Sequence, residues 1–238
     1  MRLFGIRPVI ERLKAQPKTI KEIYFKEYHN LDGIVKLAKK KDIHYKVVDT
    51  RRFDNLTRNV NSQSVFADVI PYKYTDIEDL LTSKIKPNLI FLDGITDPQN
   101  FGGMLRSAAC FGNFAFIIPK HRSVEVNETV LKIACGAENY IPVAKVINLT
   151  QGINLAKEAG YTTIGTSPLA GNSLETIKFD FPIALVIGSE GKGISQNIEK
   201  NLDLMLSIPM RGRGLSFNAS VSLAIICYEI NKQEINPK

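Results

Sequence analysis

From residue 87 onward one constraint recurs: short, predominantly apolar runs, "LIFLDG", "FAFIIP", "YIPVA", "TTIGT", "IALVIG" and "LMLSIP", separated by stretches of helical spacing such as "SVEVNETVLKIACGA" and "TQGINLAKEAG". Strands that are apolar throughout must be covered on both faces, and their alternation with helices gives a parallel sheet. The expected fold class is therefore α/β, a parallel sheet with helices on both faces. Ligands of such sheets bind beyond the carboxyl ends of the strands, so the informative residues should follow "FLDG", "IGT", "VIG" and "SIP".

They are polar or glycine-rich at each of these places. "ALVIG" is followed by "SEGKGIS", in which Gly188, Gly191 and Gly193 surround Glu190. "LSIPM" is followed by "RGRGLSFNAS", in which Gly212 and Gly214 precede Asn218 and a long helical pattern, and "TIG" leads into "TSPLAGNS". One such loop reads as a turn; three on one sheet edge read as a ligand site. The ligand is not expected to be a nucleotide held by its phosphates. Neither GxxxxGK[ST] nor GxGxxG follows the first strand, and an acid at the centre of "GSEGKG" repels phosphate. A fourth stretch, "LDGITDPQNFGGMLRSAACFG" over 92–112, puts Asn100 at a helix mouth and Arg106 beside its apolar stripe. Ordinary roles exist for both: a helix cap for Asn100, and a surface ion pair with Asp93 or Asp97 for Arg106.

Charge separates this region from what precedes it. Residues 1–75 hold 16 Lys and Arg against 8 Asp and Glu, which leaves 15 against 16 for the remainder. A basic first part joined to a near-neutral second suggests that the first grips a polyanion, although "KLAKKKD" also reads as a solvated helix face. The first part alternates helical ("PVIERLKA", "GIVKLAKKK", "RRFDNL") and strand-like ("IKEIYFKE", "HYKVVD", "SVFADVIPY") periods, a small α/β unit over 1–75. The polar stretch "TDIEDLLTSKIKPN" marks a linker, placed at 76–86. The three cysteines, Cys110, Cys135 and Cys227, lie in apolar helical stretches and read as core thiols. Scattered histidines and the lack of CxxC, HxxxH or HExxH patterns give no support to a metal site. No apolar run approaches a membrane span and the amino terminus is too charged for a signal peptide, so a cytoplasmic location is expected.

"LDGITDPQNFGGMLRSAACFG", "ALVIGSEGKGIS" and "LSIPMRGRGLSFNASVSLAI" resemble, in order and spacing, the three motifs of the SpoU/TrmH family of RNA 2'-O-ribose methyltransferases within the SPOUT superfamily. The resemblance covers 87–238, and residues 1–75 are similar to the ribosomal-protein-like (L30e-like) substrate domain of its ribosomal RNA branch. It implies S-adenosyl-L-methionine as methyl donor, a C-terminal trefoil knot and a homodimer. The implied activity is 2'-O-ribose methylation of structured RNA, 23S rRNA first. The alternatives are tRNA as substrate, or a non-catalytic RNA-binding protein that keeps the knot. By motif match Asn100, Arg106, Glu190 and Asn218 are the implied catalytic residues, and Thr166, Gly188, Ile208 and Phe217 the implied cofactor contacts.

A ribose hydroxyl is a weak nucleophile that needs placement and stabilisation of the charge developing on its oxygen. Arg106 can hold the phosphate or that oxygen, Asn100 can orient it or the ribose, and Glu190 can fix the guanidinium bidentately. The family's equivalent arginine has been proposed as a general base; a guanidinium is so hard to deprotonate that electrostatic stabilisation is the reading adopted here. Two departures stand out. Ser216-Phe217-Asn218-Ala219-Ser220 replaces the usual Ser-Leu-Asn-Val-Ser, and Ser62-Gln63-Ser64 replaces a His-Gln-Gly turn.

Overall fold

A computed structural model describes the chain except for residues 30, 59, 169–171, 213–214 and 237–238. In chain order its elements are β1 (Arg2–Phe4), α1 (Ile6–Ala15), β2 (Ile20–Lys26), α2 (Asp32–Lys40), β3 (Tyr45–Val48), α3 (Thr50–Thr57), β4 (Val65–Val69), α4 (Ile77–Leu81), β5 (Asn88–Asp93), α5 (Pro98–Phe111), β6 (Phe114–Pro119), α6 (Glu128–Ala134), β7 (Val143–Val146), α7 (Leu149–Glu158), β8 (Thr162–Thr166), β9 (Asn172–Ser173), β10 (Ile183–Gly188), α8 (Gln196–Glu199), β11 (Leu204–Ser207) and α9 (Ala219–Ile235). They form two compact units, Met1–Lys73 with Glu125–Tyr140, and Tyr74–Val124 with Ile141–Lys238.

The first unit is built on a four-stranded sheet of order β1-β4-β2-β3. β4 runs antiparallel to β1 and β2, while β3 is parallel to β2. Phe4, Phe53 and Phe66 pack with Val48 in its core, and Tyr24 stacks on Phe66 with ring centroids 4.6 Å apart. The excursion Glu125–Tyr140, which lies within the stretch 87–238, groups by its contacts with this unit. Its reasons are specific. Arg2 N donates to Glu128 Oε1 at 2.7 Å, and buried Arg12 and Glu138 form an ion pair at 3.0 Å. Gly136, at φ 95°, lies so close to α1 that a Cβ there would sit 2.4 Å from Glu11 Cβ. The helix-like run "SVEVNETVLKIACGA" is thus no simple crossover over the sheet; only Glu128–Ala134 of it is α-helical, and that piece leaves the second unit.

The second unit carries a seven-stranded sheet of order β7-β6-β5-β10-β8-β11-β9, parallel throughout. Alternation along β5 shows why the strands read as apolar without a break. Leu89 and Phe91 face a core shared with Ile77, Leu80 and Leu81 of α4 and with Leu149, Ile153 and Ala156 of α7. Phe116, next to β5 in the sheet, instead meets Phe101 of α5 edge-on at 5.6 Å. α9 packs beside α5, burying Leu223, Ile226, Cys227 and Ile230. The expected linker at 76–86 contains α4, whose three buried side chains belong to this core, and Thr75 bridges Ala144 of β7. Its alternation of acids and leucines hid a short amphipathic helix.

Of the cysteines only Cys227 is a core thiol, and burial pushes it up to about 12. Cys110 is exposed and Cys135 half-buried. Among the described residues no helix is long and apolar enough to cross a membrane.

Candidate active site

Because the sheet is parallel, the segments after β8, β10 and β11 leave the same edge, and β10 is inserted between β5 and β8. At such a switch in strand order neighbouring connections diverge and leave a crevice. The segment after β10 is pinned shut: Ser189 N donates to Gly193 O at 3.1 Å and Gly193 N to Ser189 O at 2.9 Å. The turn between them needs Gly191 at φ 87° and Gly193 at φ 67°. Gly188 admits no substitute, since a Cβ there would stand 2.2 Å from the Gly193 carbonyl carbon. Asp93, at the end of β5, accepts from Ser195 N at 2.7 Å and holds the far side of this loop.

The three segments enclose a cavity of about 310 Å³. Thr166, Gly188, Ile208 and Phe217 all line it, with Glu190 and, from α9, Ala219, Ser222 and Ile226. Gly214 and part of "TSPLAGNS", 169–171, lie outside the described residues. No Lys or Arg is among the described lining residues, and the one charged group there is the Glu190 carboxylate. Such walls suit an apolar or cationic ligand and disfavour one rich in phosphate.

At the mouth of the cavity Glu190 Oε1 accepts from Asn218 Nδ2 at 2.8 Å, Asn100 Nδ2 at 3.2 Å and Ala219 N at 3.3 Å. Asn218 Nδ2 also donates to Asn100 Oδ1 at 2.8 Å. Asn218 caps α9, with Oδ1 accepting from Ser220 N at 2.9 Å and Ser220 Oγ at 2.6 Å. The carboxylate therefore sits where the helix dipole favours negative charge. Asn100 does not cap α5. That cap is Asp97, which accepts from Gln99 N, and Pro98 takes the first helical position.

Three of the residues read as catalytic, Asn100, Glu190 and Asn218, are thus one hydrogen-bonded cluster. Arg106 stands apart: it is exposed on α5 and makes no hydrogen bond or ion pair to another described residue. The expected fork between Glu190 and Arg106 is not formed; the Glu190 bonds run instead through Oε1 to Asn100, Asn218 and Ala219 N. Nor does Arg106 pair with Asp93, which takes Ser195 N, or Asp97, which takes Gln99 N. The roles of Ser220 at the α9 cap and of Asp93 at the β10 loop were not read from the sequence. Ser220, two residues after Asn218, was legible as part of a cap; the Asp93 contact spans 102 residues and left no local signal.

An open parallel sheet with its cavity at a reversal of strand order defines an α/β protein that holds a ligand by loops rather than by a phosphate-binding helix end. The chain belongs to the SpoU rRNA methylase family, which it matches over 87–228; residues 2–75 match the RNA 2'-O ribose methyltransferase substrate-binding family. It is 34% identical to the 23S rRNA (guanosine-2'-O-)-methyltransferase of Photorhabdus laumondii over 97% of each chain. It is 39% identical to an uncharacterized tRNA/rRNA methyltransferase of Synechocystis over 78% of this chain, and it spans half the length of that relative. The SpoU methyltransferase AviRb of Streptomyces viridochromogenes, solved in complex with AdoMet, superposes over 100% of this chain and 91% of its own with a TM-score of 0.81 at 20% identity, and so shares the fold.

Proposed function

We propose that this chain transfers a methyl group from S-adenosyl-L-methionine to a ribose 2'-hydroxyl of 23S rRNA. The observation that carries the reading is the convergence of three strand-end loops on one cavity with the Asn100, Glu190 and Asn218 cluster at its mouth. Supporting it on the substrate side is the 34% identity to a 23S rRNA methyltransferase along nearly the full chain.

The cavity fits the donor. Ile187, Leu206, Ile208 and Phe217 offer apolar walls for an aromatic base, the bare Gly188 backbone permits close approach, and Glu190 supplies a counter-charge for a cation. When bound, S-adenosylmethionine supplies an electrophilic methyl on sulfonium. The chain's own residues do the rest. Asn100 and Asn218, each tied to Glu190, present fixed carboxamides at the cavity mouth and orient the ribose. Arg106, unpaired and exposed, receives the RNA phosphate and offsets charge growing on the 2'-oxygen, whose proton passes to water or phosphate.

The same reading includes a deep trefoil knot around β10 and β11, a first unit of L30e-like type that holds RNA, domains divided near residue 75, and a cytoplasmic homodimer. The insertion of β10 between two earlier strands supports the knot, and the net charge of the first 75 residues supports the grip of the first unit on RNA. The deciding experiment incubates the full chain with labelled methyl donor and unmodified 23S rRNA or tRNA transcripts and maps the product by ribose-methylation sequencing. Label on a ribose of the 23S transcript is expected; label on tRNA alone would redirect the substrate, and label on neither would end the reading.

A further inference from the structure

At one end of the first unit's sheet a tyrosine is held in the open. Tyr28 follows β2, is 95% exposed, and adopts φ 60°, the left-handed region that side chains with a Cβ rarely occupy. Its ring contributes nothing to the core, and glycine or asparagine would satisfy that backbone more easily. Neither burial nor local conformation accounts for a tyrosine here.

Its surroundings are fixed by hydrogen bonds on both sides. Lys26 N donates to Ser64 O at 3.0 Å, and Glu27 N donates to Val48 O at 3.0 Å. Glu27 Oε1 accepts from Thr50 N at 2.9 Å, locking the stem of the tyrosine loop against the start of α3. Arg51 and Arg52 follow on the first turn of α3, both exposed and with guanidinium groups that bond no other described residue. The acids beside them are occupied by backbone N–H groups: Glu27 by Thr50 and Asp49 by Arg52. An exposed aromatic side chain and two guanidinium groups that bond no other described residue therefore stand on neighbouring segments at the same end of the sheet, after β2 and after β3.

We propose that Tyr28 is a stacking platform for an unpaired base of the RNA substrate, with Arg51 and Arg52 holding the adjoining phosphates. This rests on the RNA methyltransferase reading above. Bases offer π-faces whatever their identity, and single-stranded loops, whose bases can splay out, are what aromatic side chains capture. The platform selects an unstacked nucleotide near the target and leaves the chemistry to the second unit. Tyr28 is thus a positioning residue.

The test uses the full chain and unmodified 23S rRNA transcript, measuring RNA Kd over a salt series, KM and kcat for methyl transfer, and melting temperature. Tyr28→Ala should weaken Kd and raise KM for RNA by about 5- to 100-fold, with kcat at saturating RNA and the salt slope unchanged. Tyr28→Phe, which keeps the ring, should behave as wild type. Arg51→Ala should instead flatten the slope of log K against log salt by about 0.7 to 0.9, one phosphate contact. Tyr28→Gly should melt no lower than wild type while binding RNA as poorly as Tyr28→Ala. The proposal is overturned if Tyr28→Ala binds RNA like wild type, or if Tyr28→Phe is as impaired as Tyr28→Ala. Absence of methyl transfer by the wild type would instead defeat the functional reading, and RNA binding by the variants would still decide the stacking role.

Discussion

At the scale of single residues the candidate site divides by what each side chain is bonded to. Glu190 Oε1 takes three N–H donors, and its removal leaves Asn100 and Asn218 bonded to each other but without their common acceptor. Arg106 bonds no other described residue, so its loss should disturb no structure. Arg106→Ala should therefore leave melting and donor affinity unchanged while turnover falls about 100-fold or more, the size of a lost oxyanion-type donor. Arg106→Lys should recover little, because an ammonium lacks the planar fork. Single-turnover kinetics beside calorimetry of donor binding check this, and wild-type turnover in Arg106→Ala removes the role. Glu190→Ala should differ in kind. It also unties the start of α9, so donor affinity should drop along with turnover.

At the scale of elements, the loop after β10 gives the cavity its shape, while the junction of β8, β11 and α7 ties the opposite, amino-terminal ends of the same strands. Gly188→Ala forces a methyl against the Gly193 backbone, which cannot yield without opening the loop. Donor binding by calorimetry should be lost while the circular dichroism of the sheet is retained. Asp203 holds that junction, accepting from Lys157 Nζ at 2.7 Å, Thr163 N at 2.8 Å and Thr163 Oγ1 at 2.7 Å. Burial pushes its carboxyl up, but these bonds outweigh it and the group lies below its ordinary value. Its contribution to stability is therefore present above about pH 4 and lost as pH falls through the lowered value. Asp203→Asn should cost about 1 kcal/mol at pH 7, a figure kept small by solvent screening, and the gap to wild type in urea midpoint should close below pH 4. The sequence exposed the six long strands of this sheet because burial on both faces removes polar residues from them. β9, two residues long, left no pattern, and α4 was disguised by its acids. The cavity lining was legible because it follows strand ends. The partner of Glu190 was not, since which of several donors reaches a carboxylate depends on contacts 28 to 90 residues apart.

At the scale of the whole molecule the chain passes between its two units at 73/74, 124/125 and 140/141. The first unit is thus not a bead on one tether, and cutting the chain near residue 75 strands Glu125–Tyr140 without the α1 side chains that bury it. The Arg12 and Glu138 pair shows the cost: both side chains are buried, and Arg12 Nε and Glu138 Oε2 find no other partner among the described residues. Glu138→Ala should destabilise the chain by about 3 to 5 kcal/mol by leaving a buried guanidinium without its counter-charge and with only Thr19 Oγ1 as acceptor, whereas Arg12→Met with Glu138→Leu should recover most of the loss. Equal melting of the two variants would mean that the charge is not isolated. The same connectivity dictates that RNA binding be dissected by substitution in the full chain. α2 starts beyond the carboxyl end of β2 and delivers the chain to the start of β3, and β2 and β3 are parallel. Lys39, Lys40 and Lys41 therefore lie at the end of the sheet opposite Tyr28, Arg51 and Arg52. If RNA grips the Tyr28 end, replacing those three lysines by Gln should leave the salt slope of 23S rRNA binding within about 0.5 of wild type, while Arg51→Gln with Arg52→Gln should flatten it by about 1.5 to 2. The reverse ranking would place the RNA along α2 and make "KLAKKKD" the grip instead of a solvated face.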